Sequence, residues 1–133
     1  FSRKVIAYKL SNKIDTKLAI DTVNSAVAAR GKSSGIIFHT DRGSQFTSAK
    51  FRRHMDNLNM IQSFSAKGHP YDNAVIECFF KYLKKEEVNR KSYASFADLK
   101  LSLFEYINGF YNSVRPHSHN NGLTPNQAEI NFV

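Results

Sequence analysis

Residues 36–46 read IIFHTDRGSQF, and residues 72–80 read DNAVIECFF. In the first stretch an apolar run ends just before Asp41, which predicts a strand buried on both faces with this carboxylate at its mouth. In the second stretch Glu77 lies one turn inside a predicted helix that Asp72 caps. Thirty-five residues separate Asp41 from Glu77. Carboxylates at a strand end and on a nearby helix can converge on one point, as divalent cations that prefer oxygen ligands require.

The composition is that of one folded, basic domain. The chain has 133 residues, of which 41% are hydrophobic and 13% aromatic. Nineteen basic against eleven acidic residues give a net charge of +8, which favours a polyanionic partner, nucleic acid before a membrane surface. Cys78 is the single cysteine, which indicates a reducing compartment. No run of about 20 apolar residues and no signal-peptide pattern is present, so we expect a cytoplasmic protein.

The hydrophobic pattern alternates between strand and helix periods. Strands are predicted over 4–11, 35–40 and 60–65, and helices over 16–30, 48–57, 73–89, 96–112 and from 124 onward. This order indicates parallel strands joined by right-handed crossovers. The predicted buried faces of the two long later helices are Val75, Ile76, Phe79, Phe80 and Leu83, and Leu99, Leu103, Tyr106, Ile107 and Phe110. Thr124 and Gln127 are spaced as a capping box.

Four motifs, taken together and in order, resemble the catalytic core of insertion-sequence transposases, which belong to the retroviral integrase superfamily. They are HTDRGSQFTS at 39–48, GHPYDN at 68–73 followed by Glu77, YNSVRPH at 111–117 and LTP at 123–125. The resemblance implies an α/β fold, a ribonuclease-H-like three-layer core of parallel strands with flanking helices. Residues 1–133 would be a partial core, with 96–133 as its C-terminal helical extension.

The resemblance also implies a chemistry. The family's active site is an Asp, Asp, Glu triad, and Asp41 and Glu77 match its second and third members as catalytic residues and ligands of Mg²⁺ or Mn²⁺. The first aspartate of the family lies upstream of the segment that matches Phe1-Ser2-Arg3-Lys4. We therefore expect this chain to lack the first two strands and one carboxylate, and to be inactive in strand transfer by itself. The family reaction is two-metal phosphoryl transfer, with water and then a DNA 3′-hydroxyl as nucleophile.

The candidate DNA-binding residues are Lys81, Lys84, Gln45, Asn73 and Arg115. Lys81 and Lys84 follow Glu77 at helical spacing, so they share its face, and Lys84 resembles a DNA contact of the family. A solvated charged face is the alternative for the lysines, and stabilisation of a turn is the alternative for Gln45 and Asn73. For the terminal motif, with Tyr111, Asn112, Arg115 and His117, we favour structural closure against the core, with a phosphate contact as the alternative for Arg115.

Other interpretations remain open. Glu77 is flanked by Ile76 and Phe80, which predicts a partly buried carboxylate, and Cys78 is predicted to pack in the core. A zinc site built from His39, Asp41, His69 and His117 has no compact ligand spacing to support it. The chain is either a transposase enzyme acting on DNA or a non-catalytic remnant that binds DNA or a subunit. An unrelated ribonuclease-H-like nuclease is disfavoured by the terminal motif. A missing strand would leave an open sheet edge, so we also expect a homo-oligomer.

Overall fold

The computed structural model describes residues 1–132, which form two compact units. One is made of Ile6–Ala74 and contains both strands, and we call it the α/β unit. The other combines Phe1–Val5 with the chain from Val75 onward, and we call it the helical unit. In the described part of the chain no helix is long and apolar enough to cross a membrane.

The α/β unit is a two-stranded parallel sheet with three helices. Its elements are α1 (Thr16–Arg30), β1 (Ile37–Thr40), α2 (Ser44–Thr47), α3 (Ala49–Asn57) and β2 (Ile61–Phe64). In the sheet Ile37 lies opposite Ile61, and Thr40 lies opposite Phe64. The parallel pairing that the element order predicted is confirmed. The short helix α2 was not predicted.

Local capping explains where the helices of this unit begin and end. The Asp15 carboxylate accepts a hydrogen bond of 2.8 Å from the Leu18 N–H at the start of α1. Gly31 ends the helix in the left-handed conformation, with φ 66°. The Ser48 hydroxyl caps α3 by accepting from the Phe51 N–H at 3.2 Å. These boundaries agree with the predicted ones. The buried core of the unit is Val23, Phe51 and Met55, with Ala19, Ile20, Val27, Phe38, Phe46, Leu58 and Met60 packed around it.

Two strand predictions are wrong. No strand forms over 4–11, because the Val5 backbone finds its hydrogen bonds elsewhere: the Asn112 side-chain amide pairs with the Val5 N–H and C=O, both at 3.0 Å. β1 is not buried on both faces. Phe38 packs against the core, but Ile37, which points to the other side, is 66% exposed. The helices of this unit therefore cover one face of the sheet only.

The helical unit has three main helices. These are α4 (Ala74–Glu86), α5 (Phe96–Phe104), which continues as a π-helical segment over Glu105–Tyr111, and α6 (Pro125–Phe132). The Thr124 hydroxyl accepts from the Gln127 N–H at 3.2 Å, and the Gln127 side chain accepts from the Thr124 N–H at 3.0 Å. The predicted capping box is confirmed. The buried apolar side chains are Phe79, Leu83, Leu103, Tyr106, Ile107, Tyr111, Pro125 and Ala128.

The π-helical segment changes which residues face inward. The Asn112 N–H donates to the Ile107 carbonyl and the Arg115 N–H to the Phe110 carbonyl, each five residues back. This wider turn places Tyr111 in the core at 4% exposure, whereas Phe110, which was predicted to be buried, is 41% exposed.

Predictions for the start and face of α4 also need correction. Asp72 lies inside a 3₁₀ turn, Pro70–Asn73, and its carboxylate accepts from the Ala66 N–H at 3.3 Å rather than capping α4. Of the predicted buried face only Phe79 and Leu83 are buried. The other members, Val75, Ile76 and Phe80, are about half exposed. The apolar contact surface of α4 within its own unit is therefore a narrow stripe.

Candidate functional site

Asp41 directly follows β1 and is exposed. Its Oδ1 atom accepts a hydrogen bond of 2.8 Å from the Gly43 N–H, which closes the turn that leads into α2. Its other carboxylate oxygen has no hydrogen bond within residues 1–132. Asp41 therefore fixes its own turn with one oxygen and keeps the second available for a ligand.

Gly43 lies where the side chains of Asp41 and Gln45 converge. A Cβ atom at residue 43 would be 2.8 Å from Nε2 of Gln45 and 3.0 Å from Oδ1 of Asp41. The structure thus brings together two of the predicted site residues, Asp41 and Gln45, in the space that a side chain at residue 43 would occupy. The Gln45 amide presents a donor and an acceptor near the carboxylate of Asp41.

His39, two residues before Asp41, is engaged across the sheet. Its Nδ1 atom lies 2.9 Å from the Ser63 hydroxyl and its Nε2 atom 3.0 Å from the Ser65 hydroxyl. Both ring nitrogens are therefore used by β2 and the residue that follows it, which fixes the strand end that carries Asp41. Within the described residues no three His, Cys, Asp or Glu side chains cluster closely enough to hold a metal ion.

Glu77 lies in the first turn of α4 and is exposed, so the predicted partial burial is wrong. Lys81 and Lys84 follow it at four and seven residues on the same helix, and both are exposed. In the described chain none of these three side chains is engaged in an ion pair. Asn73, half-buried, ends the turn that leads into α4. Cys78, predicted to pack in the core, is exposed.

The two candidate carboxylates belong to different units. Asp41 lies in the α/β unit, whereas Glu77 lies in the helical unit. Their convergence on one cation remains a prediction.

A cluster of side chains around Glu86, which we call the Glu86 cluster, was not predicted. It consists of Glu86, Arg115, Tyr82 and Tyr106. Glu86 accepts from Arg115 Nη2 at 2.8 Å, from Arg115 Nε at 3.0 Å and from the Tyr106 hydroxyl at 2.6 Å. The guanidinium carbon of Arg115 lies 3.9 Å from the centre of the Tyr82 ring. The Arg115 guanidinium holds the pKa of Glu86 below its ordinary value, and burial raises the pKa of Tyr106.

The rest of the terminal motif also packs within the helical unit. His117 is buried against Tyr111, with ring centres 4.7 Å apart, and burial lowers the pKa of His117. Asn112 is 3% exposed and pairs with Val5. These contacts favour structural closure for the motif. Helical spacing offered one signal for Glu86, which follows the buried Phe79 by seven residues and so lies on the same side of α4.

Two family models and several known proteins are similar to this chain. Residues 1–70 match the family model described as "Integrase core domain", and residues 58–125 match a second model with the same description. The Escherichia coli K12 transposase InsF for insertion sequence IS3A is 38% identical over 129 residues, which are 97% of this chain and 45% of that protein. A Lactococcus lactis protein named "ATP-dependent protease" is 57% identical over 91 residues, which are 68% of this chain and 29% of that protein.

The fold has a counterpart among solved structures. The catalytic core domain of BIV integrase aligns with a TM-score of 0.67 at 17% identity, over 98% of this chain and 80% of that one. The predicted ribonuclease-H-like α/β fold is thereby confirmed. The chain spans less than half the length of the two relatives named above. The two matching family models show that the chain belongs to the integrase core domain family.

Proposed function

We propose that this chain forms part of the catalytic core of a DNA transposase, which cuts and joins DNA by phosphoryl transfer. The observation that carries the proposal is that both candidate carboxylates are accessible to a ligand. Among residues 1–132, Asp41 and Glu77 are both exposed and have no ion pair, and each has family-matched residues beside it. The net charge of +8 suits a polyanionic substrate.

Each candidate residue has a role in this proposal. Asp41 and Glu77 supply carboxylate oxygens, the ligand type that Mg²⁺ and Mn²⁺ take in proteins. When bound, such ions activate an attacking oxygen and stabilise a leaving one at a phosphodiester. Lys81 and Lys84 hold the DNA backbone along α4, and Gln45 and Asn73 orient the strand beside the carboxylates. We assign Arg115 a structural role, because Glu86 and Tyr82 already occupy its guanidinium.

A second candidate is a non-catalytic module that binds DNA or another subunit. This candidate is favoured because the two acidic residues of the chain that precede β1, Asp15 and Asp21, are both already engaged. Asp15 caps α1, and Asp21 pairs with Lys17 at 2.5 Å. Neither is a free carboxylate that could complete a triad with Asp41 and Glu77. The enzyme and the module differ in whether DNA that is bound is also cut.

The decisive experiment separates binding from cleavage. The purified protein is incubated with a labelled duplex that carries a transposon end, in Mg²⁺, Mn²⁺ or Ca²⁺. Catalysis predicts nicked and joined products in Mg²⁺ or Mn²⁺ and binding alone in Ca²⁺. Binding without products in every metal would support the non-catalytic module, and a protein that neither binds nor cuts would refute both. Sedimentation of the same sample tests the expected homo-oligomer.

Gly43→Ala tests the turn at Asp41. The new methyl group would displace the Gln45 amide, which is the end of a flexible side chain, and press on the Asp41 carboxylate. Since φ at Gly43 is −55°, the backbone tolerates alanine, and we expect the free energy of unfolding to change by less than about 1 kcal/mol. In a transposase that contains this core, DNA cleavage should fall about 10-fold, because catalytic groups are misplaced. Gly109→Ala, where a Cβ meets open space, is the control. Equal cleavage by the two variants would contradict the assignment.

A further inference from the structure

We propose a second DNA-backbone contact surface, on the α/β unit and separate from the lysines of α4. It consists of Lys9, Lys17, Lys50 and Arg53, and we call it the basic ridge. It rests on the proposed function, because DNA is the polyanion that the proposed reaction supplies. Its ligand is the phosphate backbone of duplex DNA, read without regard to sequence.

Three of the four ridge residues lie on two helices that run side by side, Lys17 on α1 and Lys50 and Arg53 on α3, whereas Lys9 precedes α1. The Thr16 hydroxyl donates to the Ser48 hydroxyl at 3.2 Å, which joins the start of α1 to the start of α3. About two turns further on, Nε2 of His54 lies 2.8 Å from Oδ1 of Asn24. Both hydrogen bonds join residues that follow one another in the same direction along the two helices, so α1 and α3 are parallel neighbours. Their positive N-terminal ends therefore lie together.

Basic side chains collect along this pair. Lys17, 76% exposed, pairs with Asp21, and both Lys9 and Lys50 are close enough to contribute to the lowered pKa of Asp21. Arg53 follows Lys50 by three residues, on the side of α3 opposite the buried core. All four cations are exposed, and the acidic side chains close enough to interact with them include Asp21 and Asp15, which caps α1.

Cations lie near the positive N-terminal ends of both helices, Lys17 on α1 and Lys50 on α3. Acidic residues are favoured in the first turn, yet neither helix has one there, although the Asp15 cap partly offsets Lys17. The α/β unit as a whole carries ten basic and five acidic residues. A bound polyanion removes the repulsion among these cations, which gives the pattern a physical reason that folding alone does not provide.

The neighbouring side chains favour DNA over an acidic protein. The polar residues Asn24 and His54 lie between the two helices beside the ridge, and their side chains already form a hydrogen bond with each other. A protein partner would need an apolar centre to its interface, and the ridge offers none. A row of phosphates needs only well-spaced cations on an exposed surface.

Binding of DNA at varied salt tests the ridge. The full chain is titrated into a labelled duplex of arbitrary sequence, about 30 base pairs long, in EDTA, so that the readout is independent of catalysis. We expect Lys50→Ala/Arg53→Ala to bind roughly 10- to 100-fold more weakly at about 0.1 M salt, and to lower the slope of log K against log salt by about 2. Lys32→Ala/Lys67→Ala removes the same charge from the same unit outside the ridge, and should lower the slope by less than about 0.5.

Removal of the Asp21 charge is expected to have the opposite effect on DNA affinity. Asp21→Asn releases Lys17 and should tighten DNA binding roughly 2- to 5-fold. Glu105→Gln changes the net charge equally in the helical unit and should leave affinity unchanged. Equal slopes for the ridge and control double variants would overturn the inference. A second assay measures binding to phosphatidylserine vesicles. Ridge variants that lose vesicle binding but keep full DNA affinity would also overturn the inference.

The outcomes for the ridge and for catalysis are distinguishable. A protein that binds DNA through the ridge in EDTA but yields no product in any metal would contradict the enzymatic proposal alone. A protein that cuts DNA while its ridge variants bind as the controls do would contradict the ridge alone.

Discussion

In a transposase that contains this core, Glu77→Gln is expected to lower metal-dependent DNA cleavage by at least about 100-fold, and Asp41→Asn by as much. Each change replaces a carboxylate by an amide of the same shape, so a cation ligand is lost without loss of volume. Because both side chains are exposed, neither change should alter the free energy of unfolding by more than about 0.5 kcal/mol. The measurement is the rate of nicking in Mn²⁺, with unfolding in urea as the test of integrity.

The matched controls are Asp56→Asn on α3 and Glu105→Gln in the π-helical segment, both exposed and predicted to cut DNA within about twofold of the parent. DNA affinity in EDTA should not fall for either carboxylate variant, because removing a negative charge cannot weaken attraction to phosphate. A Glu77→Gln protein that cuts at the parent rate would remove this residue from the site, and with it the assignment of α4 as the DNA-bearing helix.

Arg115→Met is expected to destabilise the protein by about 2–4 kcal/mol. The Glu86 and Arg115 side chains are 24% and 16% exposed, so Glu86 would be left largely buried without its cation. The Arg115–Tyr82 stacking contact is lost as well. Lys100→Met, which removes an exposed cation of α5, should cost less than about 0.5 kcal/mol. The free energies come from urea unfolding monitored by circular dichroism.

The double variant Arg115→Met/Glu86→Gln makes this test sharper. The amide at residue 86 carries no charge and can still accept from the Tyr106 hydroxyl, so the double variant should regain at least about half of the lost stability. If the double variant is no more stable than the single one, the penalty is not that of an unpaired carboxylate. The Glu86 cluster would then act by packing alone.

The same pair predicts a dependence on pH. Arg115 lowers the pKa of Glu86 below its ordinary value of 4.5, so this stabilisation is present above that value and is lost as pH falls through the lowered pKa. In Arg115→Met the pKa of Glu86 should rise, because burial then acts without a cation. Protonation relieves the penalty, so the gap in stability between parent and variant should narrow as pH falls from about 7 to below about 4.5.

Much of the local structure was predictable. Asp15 and Gly31 delimit α1, and the Thr124–Gln127 capping box starts α6, because each cap is satisfied by groups three or four residues away. The parallel pairing of β1 and β2 followed from the order of elements. Family motifs identified Asp41 and Glu77, since matched residue types at matched spacing need no coordinates.

The remaining features depend on partners that are distant in the chain. The Val5 segment has strand composition, yet its backbone pairs with an amide 107 residues away. Glu86 reads as a solvated charge, yet its cation lies 29 residues on. Side-chain periodicity records which residues are apolar but not which neighbour reaches them.

The amino-acid sequence by itself therefore determined the family of this protein, both ends of α1, the starts of α3 and α6, and the candidate carboxylates, because those rest on residue type and short-range bonding. Tertiary structure alone decided that Asp41 shares the space above Gly43 with Gln45, that Glu77 is exposed, and that Arg115 stabilises the helical unit. The physical reason is that burial, pairing and side-chain convergence are set by contacts between elements, and those contacts form only when the chain has folded.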